Sequence, residues 1–230
     1  MRTMGAMTDP EAALDLNGWT ILKQAIAPSQ CRALIDMYTD EKRFRSTVTM
    51  ARHGFGRGEY RYFAYPLPPP VDALRAALYP TLVATANRWN ETLKSETRYP
   101  ASLPAFLKRC HEAGQRQPTP LLLKYGPGDY NCLHQDLYGE QVFPLQVAIL
   151  LSAPGKDFTG GEFVLTEQRP RMQSRASVVP LEQGDGVVFT VNHRPVTGSR
   201  GPYRVTMRHG VSTVLSGARF TLGIIFHDAK

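Results

Sequence analysis

The sequence predicts an α+β fold in which helices pack on one side of a β-sandwich or barrel of the jelly-roll kind. Helical periodicity dominates the chain to about residue 118, whereas short β-type runs separated by Gly- and Pro-containing turns recur from Leu121 onward. No Pro/Ser-rich linker divides the two parts. We therefore expect residues 1–230 to form one domain, with residues 1–118 as a mainly helical support and residues 119–230 as the β-rich core.

The first part contains one predicted strand and three predicted helices. The strand is placed at Trp19–Leu22, and a helix begins at Pro28, where Pro and Ser are start signals before an apolar-periodic stretch. Further helical patterns cover Val71–Leu93 and Ala105–Glu112. A break or kink is expected at Pro80, because proline lacks the N–H group that an interior helical position uses.

The second part contains the β-type runs. Their separators are rich in glycine and proline, as in Gly126-Pro127-Gly128 and Gly184-Asp185-Gly186. The predicted strands are Leu121–Tyr125, Leu145–Ser152, Glu162–Leu165, Ala176–Val179, Gly186–Thr190, Tyr203–Ser212 and Phe220–Phe226.

Composition excludes several classes of protein. The chain of 230 residues is 42% hydrophobic, which suits a globular domain with a substantial core. No apolar run approaches the roughly 20 residues of a membrane-spanning helix, and Met1–Pro10 has no apolar signal core. Three scattered cysteines suit a reducing cytoplasm. The net charge of +7 favours polyanionic partners or anionic substrates.

A candidate metal site begins at His134-Gln135-Asp136, where two ligand types stand on alternate residues. Residues two apart on an extended strand share a face, so both side chains can reach one ion from a strand end. His209, on a later strand pattern, is the best third ligand. Two histidines and one carboxylate form the facial triad of non-haem Fe(II) oxygenases. Alone, the His-x-Asp pattern is more typical of a hydrogen-bonded pair at a strand end.

Arg219 and Thr221 are candidate cosubstrate contacts. Arg219 follows His209 by ten residues, at the start of the last strand pattern. A guanidinium grips a carboxylate through two parallel hydrogen bonds, which suits the far carboxylate of 2-oxoglutarate. The alternative is an ordinary surface arginine. The spacing of Arg219 from the triad favours the ligand role.

The metal segment resembles a known family. Tyr125–Gly128, followed after four residues by Leu133–Asp136, is similar to the Y-x-P-G turn and L-H-Q-D metal motif of AlkB-type dioxygenases, which repair alkylated nucleic acids. The resemblance implies that the Tyr125 hydroxyl helps to bind 2-oxoglutarate. It also implies a double-stranded β-helix, the cupin-like jelly roll.

Other segments resemble other members of the same superfamily. Gly160–Phe163, Gly184–Phe189 and the His209-to-Arg219 spacing are similar to prolyl-hydroxylase-type enzymes. Arg169–Arg175 and Ile225–Asp228 resemble a bacterial group of 2-oxoglutarate oxygenases linked to damaged-DNA repair. The resemblance covers about residues 121–228.

The chain departs from the AlkB pattern at its end. The AlkB signature R-x-N-x-T-x-R is replaced by Arg219-Phe220-Thr221-Leu222-Gly223-Ile224-Ile225, which lacks the asparagine and the second arginine. The departure leaves the dioxygenase class intact and weakens the assignment of an AlkB-type substrate.

A basic, aromatic segment at 42–65 is the candidate substrate region. Cations neutralise phosphates and aromatic rings stack on bases. Three interspersed glycines would allow it to move as a lid over the metal; the alternative is a basic surface loop with its aromatic side chains packed away. The candidate contacts in this segment are Arg52, Phe55, Arg57, Tyr60, Arg61 and Tyr62.

Two further basic groups could form a positive rim around the metal. Arg171 and Arg175, with Arg169, follow one strand pattern and are the additional candidate substrate contacts. Arg194, Arg200, Arg204 and Arg208 precede His209. Taken singly, each is more typical of a solvated loop charge.

The sequence thus predicts an Fe(II)- and 2-oxoglutarate-dependent dioxygenase that consumes O2, with ascorbate as the candidate reductant. Three functions remain open. The first is oxidative dealkylation of DNA or another nucleic acid, single-stranded or damaged. The second is hydroxylation of a prolyl, other peptidyl or small-molecule substrate, and the third is a non-catalytic cupin-like binding module. The complete iron and cosubstrate sets argue against the third.

Overall fold

The computed structural model of the protein describes residues 9–230, which form two packed sheets and a helical layer. The helices are α1 Pro10–Asn17, α2 Pro28–Asp36, α3 Pro69–Thr92 and α4 Leu103–Glu112. The strands are β1 Trp19–Leu22, β2 Phe44–Thr49, β3 Gly56–Arg57, β4 Glu59–Phe63, β5 Leu121–Tyr125, β6 Tyr130–His134, β7 Leu145–Leu150, β8 Phe158–Gly160, β9 Phe163–Gln168, β10 Arg175–Val179, β11 Gly186–Thr190, β12 His193–Gly198, β13 Gly201–Val211, β14 Val214–Gly217 and β15 Arg219–Ile224. Short 3-10 turns cover Met37–Thr39, Glu41–Arg43 and Met50–His53.

The strands pair in antiparallel fashion. The larger sheet has the order β1-β11-β7-β15-β5-β4-β2, and the second has the order β10-β9-β13-β6-β3, with β12 added beside β13. One buried apolar cluster lies between the sheets, and another joins the larger sheet to the four helices. This arrangement confirms the predicted α+β jelly roll with helices on one side.

Strand β7 shows why the sequence folds into these layers. Its residues are all buried. Val147 and Ile149 face the helices, whereas Ala148 and Leu150 belong to the cluster between the sheets. A strand covered on both faces needs a continuous apolar run, and burying each large aliphatic side chain contributes about 1.5–3 kcal/mol. The other face of β7 thereby points into the space between the sheets.

The description of residues 1–118 as mainly helical holds only in part, since four strands of this region join the sheets. The predicted break at Pro80 is absent, and α3 continues through it. Pro80 is exposed, while Tyr79, Leu82 and Val83 on either side of it are buried in the core. Their packing holds the helix together across the missing backbone hydrogen bond.

The basic, aromatic segment, for which a mobile lid and a surface loop were both left open, forms a packed hairpin. Strand β4 pairs with both β2 and β5, and β3 pairs with β6 of the other sheet. Two of its glycines permit close packing. A Cβ at Gly56 would lie 2.4 Å from the carbonyl oxygen of Tyr130, and one at Gly58 would lie 2.9 Å from the Tyr125 ring. Gly54 has open space around it and lies at the hairpin tip.

A buried ion pair connects α3 to the end of the chain. The Arg75 guanidinium donates to Asp228 at 2.8 Å and to the carbonyl oxygens of Ile225 and Phe226 at 2.9 and 3.0 Å. Arg75 and Asp228 are almost fully buried. The pair therefore holds the chain that follows β15 against the helical layer.

Asp228→Ala should lower the free energy of unfolding by about 3–5 kcal/mol, because it leaves the Arg75 cation buried without a carboxylate. Urea titration measures the change. Asp40→Ala is the control, because its ion pair with Arg43 is about half exposed and contributes about 0–1 kcal/mol. Equal losses in the two variants would contradict the structural role of Arg75–Asp228.

In the part of the chain from residue 9 onward, no helix combines the length and the hydrophobicity that crossing a membrane requires. The expectation that Met1–Pro10 holds no export signal falls, apart from Asp9 and Pro10, outside the described residues.

Candidate metal centre

Three side chains converge where β6 and β13 meet. His134 ends β6 and is the Cα partner of His209 on β13, while Asp136 follows His134 by two residues. The Nε2 atoms of His134 and His209 each lie 3.4 Å from an oxygen of the Asp136 carboxylate. Candidate ligand atoms of all three lie within 4.8 Å of one another, and no other such trio occurs among the described residues. The sheet register thus brings together the predicted triad.

Different contacts orient the two histidine rings. His134 Nδ1 lies 2.7 Å from the carbonyl oxygen of Cys132, which requires the proton on Nδ1 and leaves the Nε2 lone pair free. His209 is instead packed against Phe189 and Phe163, with ring centroids 4.6 and 6.0 Å away. Both arrangements present Nε2 to a shared point beside Asp136.

The charge states of two of the side chains suit a cation. Burial raises the pKa of Asp136, but the neighbouring rings of His134 and His209 outweigh burial and hold this pKa well below its usual range. Burial, reinforced by the proximity of His134, lowers the pKa of His209. An ionised carboxylate and a neutral imidazole are the forms that bind a metal ion.

Arg219 and Tyr125 lie in the same cavity as the triad, on neighbouring strands β15 and β5. Burial lowers the pKa of Arg219 to about 10, so its guanidinium stays charged at neutral pH. Its Nη1 donates to Thr221 Oγ1 at 2.6 Å, but no carboxylate in residues 9–230 lies within ion-pair distance. Neither its Nε nor the buried Tyr125 hydroxyl has a hydrogen-bond partner among those residues.

These unsatisfied donors indicate a place for an anion. A buried cation without a carboxylate is costly unless a ligand neutralises it. The cavity has a volume of about 340 Å³ and joins Arg219, Thr221 and Tyr125 to the metal triad. A dicarboxylate such as 2-oxoglutarate has one anionic group for the metal end of the cavity and one for the Arg219 end. The side chains that line the cavity therefore fit this cosubstrate.

Gly210 lets the two ligand-bearing strands approach each other. A Cβ at this position would lie 2.6 Å from the carbonyl oxygen of Asn131 and 3.2 Å from that of Cys132, both on β6. These are backbone atoms, so the strands themselves would have to separate. The glycine beside His209 is thus needed for the His134–His209 pairing.

Gly210→Ala should lower the free energy of unfolding by about 1–3 kcal/mol and weaken metal binding, because the added methyl group pushes β6 away from β13. Urea unfolding and Mn²⁺ titration measure the two effects. Gly126→Ala is the control, since a Cβ there would meet only the Asp129 carboxylate at 3.7 Å. Unchanged metal affinity in Gly210→Ala would argue against the strand-spacing role.

The predicted substrate residues divide into two groups. Phe55, Tyr60 and Tyr62 line the cavity, with Phe55 49% exposed at its mouth. Arg52 and Arg57 are exposed on the same hairpin tip without lining the cavity. The structure therefore places the aromatic members at the metal centre and the cationic members outside it.

Arg61, predicted as a substrate contact, does not line the cavity in this structure. Its side chain donates to Glu59 at 3.0 Å and to the carbonyl oxygen of Tyr38 at 3.0 Å, and it lies 4.6 Å from the centre of the Tyr38 ring. Alternation along β4 explains this placement, because Tyr60 and Tyr62 face the cavity and Arg61 must face the other side.

Three arginines that were predicted for a positive rim around the metal do not line the cavity. Arg171 and Arg175 are exposed and neither lines the cavity. Arg194 is buried, and forms an ion pair with Glu167. Arg175 lies 3.7 Å from the same carboxylate. Arg194 was predicted to contribute to the positive rim. It is instead structural, because its guanidinium pairs with the buried carboxylate of Glu167.

Sequence reasoning missed two residues at the metal centre. The Tyr138 hydroxyl donates to one Asp136 oxygen at 2.7 Å, and Gln146 Nε2 donates to the other at 2.9 Å. Gln146 did carry a signal, since it is a lone polar residue inside the apolar run of β7. Nothing in the sequence distinguished Tyr138 except its position two residues after Asp136.

Comparisons with known proteins agree with this site. The family model that matches residues 58–229, well over half of the chain, is described as an oxygenase catalysing oxidative methylation of damaged DNA. Two uncharacterized proteins of Mycobacterium tuberculosis, from strains CDC 1551 / Oshkosh and ATCC 25618 / H37Rv, are each 54% identical over 167 residues, which are 73% of this chain and 72% of theirs.

Solved structures share the fold at low identity. A prolyl hydroxylase from Trichoplax adhaerens, in complex with a peptide fragment of the hypoxia inducible factor oxygen degradation domain, has a TM-score of 0.58 at 14% identity, over 95% of this chain and 87% of that one. A 2OG-Fe(II) oxygenase family oxidoreductase from Burkholderia pseudomallei has a TM-score of 0.54 at 17% identity, over 98% and 93%. Both likenesses show the jelly-roll fold.

Two histidines and one carboxylate are the ligand set of non-haem Fe(II) oxygenases, and the neighbouring cavity fits a 2-oxo dicarboxylate. Fe(II), 2-oxoglutarate and O2 are therefore the cofactor and cosubstrates of this enzyme. With three of its side chains arranged as such a triad and residues 58–229 matching the family model, the chain belongs to the oxygenase family described as acting on damaged DNA.

Proposed function

We propose that the protein removes alkyl groups from DNA or another nucleic acid by oxidation. The observation that supports this most directly is the cavity, in which the triad of a family described as acting on damaged DNA lies beside a set of aromatic side chains. Oxidation of an alkyl carbon bonded to a base nitrogen yields an unstable hydroxyalkyl group. That group leaves as an aldehyde, and the nitrogen recovers its proton.

In this proposal His134, Asp136 and His209 hold the iron, which supplies the activation of O2 when bound together with 2-oxoglutarate. Arg219 and Tyr125 hold the far carboxylate of 2-oxoglutarate, and Thr221 orients the Arg219 guanidinium through its 2.6 Å hydrogen bond. The apolar walls around the triad, among them Phe163 and Phe189, exclude water from the reacting atoms.

The aromatic wall favours a planar substrate. Tyr60 and Tyr62 lie on the same strand with their rings 5.4 Å apart in an edge-on arrangement, and Phe55 is half exposed at the mouth. Aromatic faces stack on bases regardless of sequence. An enzyme that acts on a base must take that base out of the duplex or work on single strands. Arg52 and Arg57, exposed on the same hairpin, would contact the phosphates.

A prolyl or other peptidyl hydroxylase is the second candidate. The ten-residue spacing from His209 to Arg219 favours it, since this spacing is similar to that of prolyl-hydroxylase-type enzymes. A peptide substrate does not require the exposed cations of the hairpin tip, so binding to peptides should depend weakly on salt, whereas binding to nucleic acid should depend on it steeply.

A turnover screen tests the proposal. Purified protein, Fe(II), 2-oxoglutarate and O2 are incubated with single- and double-stranded oligonucleotides that carry N-methylated bases, and with proline-containing peptides. We expect formaldehyde and succinate in equal amounts, with restoration of the unmodified base measured by mass spectrometry. Hydroxylated peptide without base restoration would favour the second candidate. Succinate release that needs no added or bound iron would contradict the dioxygenase assignment.

Phe55→Ala should weaken binding of single-stranded oligonucleotides by about 1–3 kcal/mol, the stacking energy of one base. Fluorescence anisotropy at several salt concentrations measures the affinity and its salt slope. Leu215→Ala is the matched control, because Leu215 is a 69% exposed apolar side chain that does not line the cavity. The salt slope should be unchanged in both variants, since neither removes a charge.

We also propose that this activity belongs to the cytoplasm, where the unpaired cysteines Cys31, Cys110 and Cys132 remain reduced. Ascorbate is the proposed reductant that keeps the iron ferrous. Omitting it from the assay should slow repeated turnover without affecting the first cycle.

A further inference from the structure

Asp136 occupies an unusual position for a ligand that must be held rigidly. It follows the end of β6 and lies outside regular secondary structure, so the sheet ladder does not fix its backbone. Its side chain is nevertheless almost completely buried. A buried carboxylate in a loop needs hydrogen-bond donors from other elements to hold one orientation.

Those donors come from two sides. The Tyr138 hydroxyl donates to Asp136 Oδ1 at 2.7 Å, and Gln146 Nε2 donates to Oδ2 at 2.9 Å. Tyr138 belongs to the same loop, whereas Gln146 projects from β7, an interior strand of the larger sheet. The carboxylate is thus held by its own loop through one oxygen and by a fully buried strand through the other.

The orientation of the Gln146 amide follows from charge. An ionised carboxylate only accepts hydrogen bonds, so the NH2 group of the amide must face Asp136. The carbonyl oxygen Oε1 is then buried without a partner among the described residues. That arrangement carries a cost in the free protein, which is typical of residues retained for a role at a site and not for stability.

We propose that Tyr138 and Gln146 are positioning residues that hold the Asp136 carboxylate, one hydrogen bond to each oxygen, in the orientation that binds the metal ion. This inference rests on the proposed role of Asp136 as an iron ligand. Each carboxylate oxygen has two lone pairs, so one donor per oxygen leaves a lone pair that can face the ion. The two donors therefore restrict rotation of the carboxylate before metal arrives.

The expected consequence is a loss of metal affinity when either donor is removed. Outer hydrogen-bond partners of metal ligands typically change metal affinity by about 10–100-fold. Tyr138→Phe removes one hydroxyl and retains the ring. Gln146→Leu removes the amide at similar volume and suits the apolar surroundings of β7. Each variant should weaken binding by a factor in that range.

Anaerobic titration of the purified protein with Mn²⁺, followed by electron paramagnetic resonance of the free ion, tests this. Tyr203→Phe is the matched control, because Tyr203 lies on β13 beyond the cavity lining and has no hydrogen bond to Asp136. The second readout is the affinity for 2-oxoglutarate at saturating Mn²⁺. It should remain within about twofold of wild type, since Arg219 and Tyr125 are untouched.

The outcomes separate the inference from the function on which it rests. Weaker Mn²⁺ binding with retained 2-oxoglutarate affinity supports the positioning role. Parallel weakening of both ligands indicates a general loosening of the fold and overturns it, as does Mn²⁺ binding equal to wild type in both variants. Failure of the wild-type protein itself to bind Mn²⁺ would overturn the proposed iron site.

Discussion

Asp136→Ala should abolish Mn²⁺ or Fe(II) binding and reduce succinate production to background. The carboxylate lies 3.4 Å from the Nε2 atoms of both histidines, so it is the common neighbour of the other two ligands. Without it, two imidazoles remain, which lack the anionic ligand of the facial triad. Anaerobic titration and a succinate assay measure the two losses.

His134→Ala and His209→Ala should have the same effect, because each removes one of the ligands. His193→Ala is the matched control, since His193 lies on β12 and does not line the cavity. It should bind metal as the wild-type protein does. Retention of full metal affinity in either triad variant, with the fold intact by circular dichroism, would contradict the assigned ligand set.

Arg219→Met should weaken 2-oxoglutarate binding and stabilise the free protein. The guanidinium is buried with no carboxylate in ion-pair distance among the described residues, so its charge opposes folding until an anion binds. Replacing even a paired buried charge and its partner with apolar side chains of similar size is often neutral or stabilises proteins by about 1–4 kcal/mol. We expect the free energy of unfolding of the free protein to rise within that range.

The loss of cosubstrate affinity should be large. Hydrogen bonds to charged groups contribute about 1.5–3 kcal/mol, which corresponds to a 10- to 150-fold increase in the dissociation constant of 2-oxoglutarate. Isothermal titration at saturating Mn²⁺ measures it, with Arg32→Ala, an exposed arginine of α2, as control. A destabilised Arg219→Met protein with unchanged affinity would instead assign Arg219 a structural role.

Local pattern in the chain indicated the His134–Asp136 ligand pair and most of the core strands. His134 and Asp136 are two residues apart, and the β-type run that contains His209 is recognisable from its alternation. The boundaries of β5 and β11 agree with the prediction. These features depend on neighbours in sequence, whose period and turn residues are readable without any tertiary contact.

The region before residue 118 was harder to predict. Its β2–β4 hairpin contains charges and glycines that resemble a mobile loop, yet β4 pairs with β5, some 60 residues later in the chain. A strand at the edge of a sheet is stabilised by its partner strand more than by its own propensity. Its sequence alone therefore could not distinguish a lid from a packed hairpin.

The arginines also show what the sequence could predict and what required the tertiary structure. Arg219 was identifiable from its spacing to His209. Arg61 was expected at the substrate and Arg194 on a positive rim around the metal, but they pair with Glu59 and Glu167. The sequence around an arginine does not show which distant carboxylate will pair with it in the fold. Only when the strands are paired does it become clear which cations face the cavity.

The His134–Asp136 pair and the β-rich core could thus be inferred from short-range order along the chain, because ligand spacing on one strand and strand alternation are local properties. The third ligand His209 and the cosubstrate residues were inferred from their spacing and from the family resemblance. Packing between elements distant in sequence placed Gln146 and Tyr138 on the Asp136 carboxylate and built the aromatic wall of the cavity. Those contacts arise from register across sheets. Register is a property of two segments together and is encoded in neither alone.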